Sequence, residues 1–72
     1  MKVFIKFEKE QGLQTRKQII QDALRPLGEI EIVEAMLHKE GLEPMEYGYG
    51  DEDLVFADHL VVKYYMVTKE RS

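Results

Sequence analysis

Cysteine is absent from this chain, so neither a disulfide nor a thiolate metal site can reinforce its core. Unbroken apolar runs are absent too. A membrane helix needs roughly twenty apolar residues in succession, and the opening Met1-Lys2 leads into a short alternating run that does not have the form of a signal peptide. The expectation is a soluble, cytoplasmic protein with no membrane partner. Serine occurs only at Ser72, so the common hydroxyl nucleophile is missing along with the thiol, and no two acids are set at a separation that defines an acid–base pair. Gly48 and Gly50 flank Tyr49 without opening a capped helix, which leaves no phosphate-cradling loop. These absences predict a protein that is not an enzyme and carries no cofactor.

Basic charge is scarce in the middle of the chain. Residues 1–27 hold six cations against three anions, net +3, whereas residues 28–62 hold ten anions against Lys39 alone, net −9, and the last ten residues return +2. Such an acidic block argues against a general affinity for duplex nucleic acid, which relies on summed cation contacts. It favours attraction to a basic partner. With 72 residues the chain forms one small domain. A domain of that size buries only about 60% of the surface its unfolded chain exposes, so its margin is thin unless a second copy helps.

The clearest pattern is helical. Ile20, Ala23, Leu24 and Leu27 recur at i, i+3, i+4 and i+7, while Arg16, Lys17, Gln21, Asp22 and Arg25 lie off that stripe. Thr15 with Gln18 has the spacing of a capping box, which predicts a start at Thr15. Pro26 ends the helix near Arg25, and Gly28 is free to take a left-handed turn beyond it.

Around this helix the sequence predicts strands. Residues 2–8 alternate, with Val3, Ile5 and Phe7 on one side and Lys2, Phe4, Lys6 and Glu8 on the other. From Glu29 to Leu37 the alternation slips phase between Ile32 and Val33, so a strand here needs a bulge. A helix would also place Ile30, Val33 and Leu37 on one face with Gly41 at its end, but the β-branched content favours a strand. Residues 40–53 read mainly as loop, with a short edge strand where Met45, Tyr47 and Tyr49 alternate with Glu46, Gly48 and Gly50. His59 to Thr68 is apolar on both sides, as in a central strand, and residues 69–72 are expected to fray. The predicted fold is a small α+β domain: a mainly antiparallel sheet of three or four strands, in the order β-α-β-(β)-β, with one amphipathic helix on one face.

The opposite face of that sheet is then open. Phe4 lies on it between Lys2 and Lys6, and from the last strand Lys63 and Tyr65 are its candidates. Two uses follow. The first is contact with protein, either a second copy of the chain or a partner that also docks on the acidic, tyrosine-rich loop through Met45, Tyr47, Tyr49, Asp51, Glu52 and Asp53. An interaction or regulatory protein acting as a homodimer, or as an acidic docking module, is the leading expectation. The alternative is single-stranded nucleic acid, whose bases stack on aromatic rings while lysines meet phosphate. Arg16 and Lys17, in the first helical turn, are candidates for holding an anion with the free amides there. A metal-assisted enzyme built from Asp51, Glu52, Asp53, Asp58, His38 and His59 is the weakest expectation, because these residues have neither calcium-loop nor zinc-site spacing. No metal site is predicted.

Overall fold

The computed structural model describes residues 1–48 and 51–67, leaving the side chain of Asp51 outside. The elements are β1 (Lys2–Lys6), α1 (Leu13–Leu24) with a 3-10 turn over Arg25–Leu27, β2 (Ile30–His38), β3 (Met45–Glu46), α2 (Asp51–Phe56) and β4 (His59–Met66). The four strands form one sheet in the order β1-β4-β2-β3, each antiparallel to its neighbour. β1 and β2 therefore run parallel with β4 inserted between them, and α1 makes the long connection that such a pair needs. This is a small α+β fold, as the periodicities predict.

Two local features of the chain act as expected. The 3-10 turn begins at Arg25, just ahead of Pro26, and Gly28 closes it at φ +79°, a conformation that a residue with a Cβ disfavours. In β2 the pairing with β4 shifts between Ile32 and Glu34, leaving Val33 as the extra residue of a bulge. Ile32 lies opposite Tyr64, and after the bulge Ala35 lies opposite Val62 and Leu37 opposite Leu60. The bulge thus returns the apolar side chains of β2 to the face that Tyr64, Val62 and Leu60 occupy.

That face carries the core. Ile5, Phe7, Leu37, Leu54, Ala57, Leu60 and Val62 form one buried cluster, and Val3, Leu13, Ile19, Ile20, Ala23 and Leu24 pack against it. On β4 the alternation is complete: Leu60, Val62 and Tyr64 are buried, whereas Lys63 and Tyr65 are exposed.

Two expectations need correction. The helix begins at Leu13 with Gly12 as its N-cap, not at Thr15, and no side chain caps it. Thr15 is exposed in the first turn, and Gln18 donates forward to Asp22 Oδ1 at 3.0 Å instead of reaching back. Starting at Leu13 lets that side chain, half-buried, pack on the core, which offsets a cap worth about 1 kcal/mol. The second correction is α2, which replaces the end of the expected loop and the apolar run at Leu54 to Phe56. Six residues are too few to form a helix on propensity alone. Tertiary contact supplies the rest: Leu54 is fully buried in the core, and α2 packs beside α1 on the same side of the sheet. The expected strand end at Thr68, the tail over 69–72 and Tyr49 lie outside the described residues.

Leu54→Ala should cost about 2–5 kcal/mol of unfolding free energy in urea, as expected for a filled core site. Phe56, two positions along the same helix and 69% exposed, should tolerate alanine within about 0.5 kcal/mol. Equal losses at the two positions would contradict the orientation of α2.

Candidate functional site: the open sheet face

Because successive strand residues point to opposite faces, the register fixes what lies on the uncovered side. Across β1, β4 and β2 one row reads Lys6, His59, His38; the next Phe4, Val61, Met36, continued on β3 by Glu46; the third Lys2, Lys63, Glu34. Tyr65, paired with Glu31, makes a fourth. Phe4 is 69% and Tyr65 58% exposed. All five residues expected on this face, Lys2, Phe4, Lys6, Lys63 and Tyr65, are on it, and both helices lie on the other side. Tyr64 belongs to the core.

The rings on the face are ordered. Phe4 stacks on His59 at 4.8 Å between centroids, and His59 stacks on His38 at 4.6 Å with 9° between planes. The histidines come together because His38 ends β2 and His59 begins β4, directly opposite in the ladder. Nothing in the spacing of His38 and His59 along the chain marks that pairing; only the β2–β4 register reveals it. Among the described residues no three histidines or acids gather as metal ligands would.

The charge on this face is divided. Lys2, Lys6 and Lys63 lie along β1 and β4, whereas Glu31, Glu34 and Glu46 lie along β2 and β3. Lys2 stands directly opposite Lys63, an arrangement that costs stability by like-charge repulsion. Glu34, opposite Lys63 on its other side, offsets part of that repulsion, and an anion brought to the face would offset more.

The acidic loop is placed differently. Met45 is half-exposed on β3, and Tyr47 donates its amide to Ala35 O and packs against the core. Glu52 and Asp53 are exposed on α2. The tyrosine-rich stretch is thus split between an inward Tyr47 and an outward acidic helix, with Tyr49 and the Asp51 side chain outside the description.

Arg16 departs furthest from expectation. It is 3% exposed, and its guanidinium donates to main-chain carbonyls: Nε to Gln11 at 2.9 Å, Nη1 to Leu54 and Ala57 at 2.7 Å each, and Nη2 to Glu8 at 2.9 Å. The Phe7 ring lies under it, 5.0 Å from the guanidinium carbon. It is therefore not the solvent-facing half of an anion site with Lys17. The signal was present: counting back from Ile20 by four and seven reaches Arg16 and Leu13, so Arg16 occupies the core-facing stripe. Lysine at this position has one nitrogen where arginine presents a planar fork, so Arg16→Lys should lower unfolding free energy by about 2–4 kcal/mol. A melt matching the native protein would show that the carbonyl contacts are dispensable.

A polar junction closes the same end of the sheet. Asp58 accepts from the Glu40 amide at 2.7 Å and faces Lys39 Nζ at 3.6 Å, while its own amide and carbonyl engage His38 and Phe7. The Glu40 hydrogen bond, helped by Lys39 and His59 and opposed by slight desolvation, holds the Asp58 carboxyl below the usual aspartate range. A lowered carboxyl pKa stabilises the fold fully above the unfolded value and is lost as pH falls through the folded one. Thermal melts should therefore show the native protein above Asp58→Asn at neutral pH, with the gap closing below about pH 4.

No protein-family model, curated protein or solved structure matches this chain. Among the described residues no helix is long and apolar enough to cross a membrane.

Proposed function

We propose that this chain is an interaction protein that acts by binding and that associates with a second copy through its open sheet face. The single observation behind this reading is the division of charge on that face. A two-fold axis running along the strands, between β4 and β2, lays β4 of one copy over β2 of the other. Val61 then meets Met36, Lys63 meets Glu34 of the second copy as well as its own, and the Lys2–Lys63 repulsion is further reduced. Face-to-face packing of two such sheets also covers Phe4 and Tyr65, which a lone small domain leaves in water.

Single-stranded nucleic acid remains the competing occupant, supported by the Phe4–His59–His38 stack beside three lysines. Glu31, Glu34 and Glu46 on the same face oppose a phosphate backbone, and this places the nucleic-acid reading second.

Charge exchange separates the two. In sedimentation equilibrium the native chain should be dimeric at micromolar concentration. Lys63→Glu and Glu34→Lys should each weaken the dimer about tenfold, and the double variant should recover most of the loss, since the exchanged pair is again complementary. A monomer throughout that range, or a double variant no better than the singles, would dispose of the dimer. A labelled oligonucleotide bound more tightly by Glu34→Lys than by the native chain would instead favour nucleic acid.

A further inference from the structure

On the helical side of the sheet, between the edge strand β3 and α2, lies a cleft of about 230 Å³. Leu37 and Ala57 form its floor, Leu42, Met45 and Phe56 its walls, and Glu43 and Asp53 stand at its rim. Its walls are wet: Leu42 is 66%, Phe56 69% and Met45 41% exposed. We infer that this cleft is a docking site for an extended, cationic peptide segment of a protein partner, which lies along β3 and inserts one leucine-sized or phenylalanine-sized side chain.

Three observations select this occupant. The cleft is smaller than the roughly 300–1,000 Å³ of small-molecule sites, and its almost wholly apolar lining suits one hydrocarbon side chain. The rim is negative: Lys39, its one cation, already faces Asp58 at 3.6 Å, whereas Glu43 and Asp53 have no ion pair or hydrogen bond among the described residues. The surrounding chain adds Glu40 and Glu52, so a lysine or arginine on either side of the inserted residue meets acid. Finally, β3 is an outer strand of the sheet. Tyr47 bonds back to Ala35 O, and by antiparallel alternation Met45 faces β2 as Tyr47 does, so Glu46 between them turns its amide and carbonyl outward. A strand added there presents alternate side chains to the cleft, because Met45, opposite the buried Leu37, lies on that side.

The site is separate from the open sheet face, and the test keeps them apart. Fluorescence anisotropy at low salt would use the full chain and a labelled heptapeptide alternating lysine with leucine. The expected result is saturable binding, weakened about tenfold or more by Phe56→Ser, by Leu42→Ser and by Asp53→Lys, and not weakened by Lys63→Glu, which only adds negative charge away from the cleft. A lysine–serine heptapeptide of equal charge should bind about tenfold more weakly than the lysine–leucine one. Absence of saturable binding, equal affinity for the two peptides, or native-like binding by both Phe56→Ser and Leu42→Ser would overturn the assignment. Both wall residues are exposed, and circular dichroism should show the variants folded.

Discussion

The guanidinium of Arg16 joins the start of the chain to the segment around α2. Through Glu8 and Gln11 it holds the link between β1 and α1, and through Leu54 and Ala57 it holds the last turn of α2 and the approach to β4. Burying a cation is costly unless its donors are met, and here main-chain carbonyls and the Phe7 ring meet them. The carbonyls at the end of α2 gain in turn, since a helix terminus leaves such groups without partners. A six-residue helix in a domain with so little interior needs this support.

Fixing α2 beside α1 has a consequence for the other side of the sheet. Both helices are spent on one face, so nothing in the described chain covers Phe4, Val61, Met36 or Tyr65. The same placement sets Phe56 at a distance from β3 and opens the apolar cleft between them. One packing decision thus produces two surfaces of different character. The sheet face carries stacked rings and is divided between lysine and glutamate. The cleft is narrow, apolar at its floor and acidic at its rim.

The two proposed uses of these surfaces are compatible with each other. A dimer formed through the sheet faces would direct the two clefts outward, because each cleft lies on the side of its sheet away from the second copy. Two linked clefts raise the effective concentration for a partner carrying two cationic segments. Of the acidic middle of the chain, Glu43 and Asp53 stand at the cleft, whereas Glu31, Glu34 and Glu46 lie on the sheet face.

Local chemistry made much of this legible. Pro26 and Gly28 ended the helix by covalent constraint, the phase slip at Val33 required a bulge, and the alternation of β1 put Phe4 between two lysines away from the core; each effect acts within a few residues and is written in order along the chain. Tertiary contact decided the rest. Whether Arg16 met water or carbonyls depended on Leu54 and Ala57, some forty residues away. α2 exists because the core receives Leu54, and the His38–His59 stack exists because β4 enters between β1 and β2. Periodicity states which side of an element is apolar. Only the assembled fold states which distant groups that side will meet, since the free energy of those meetings belongs to pairs of segments and to neither segment alone.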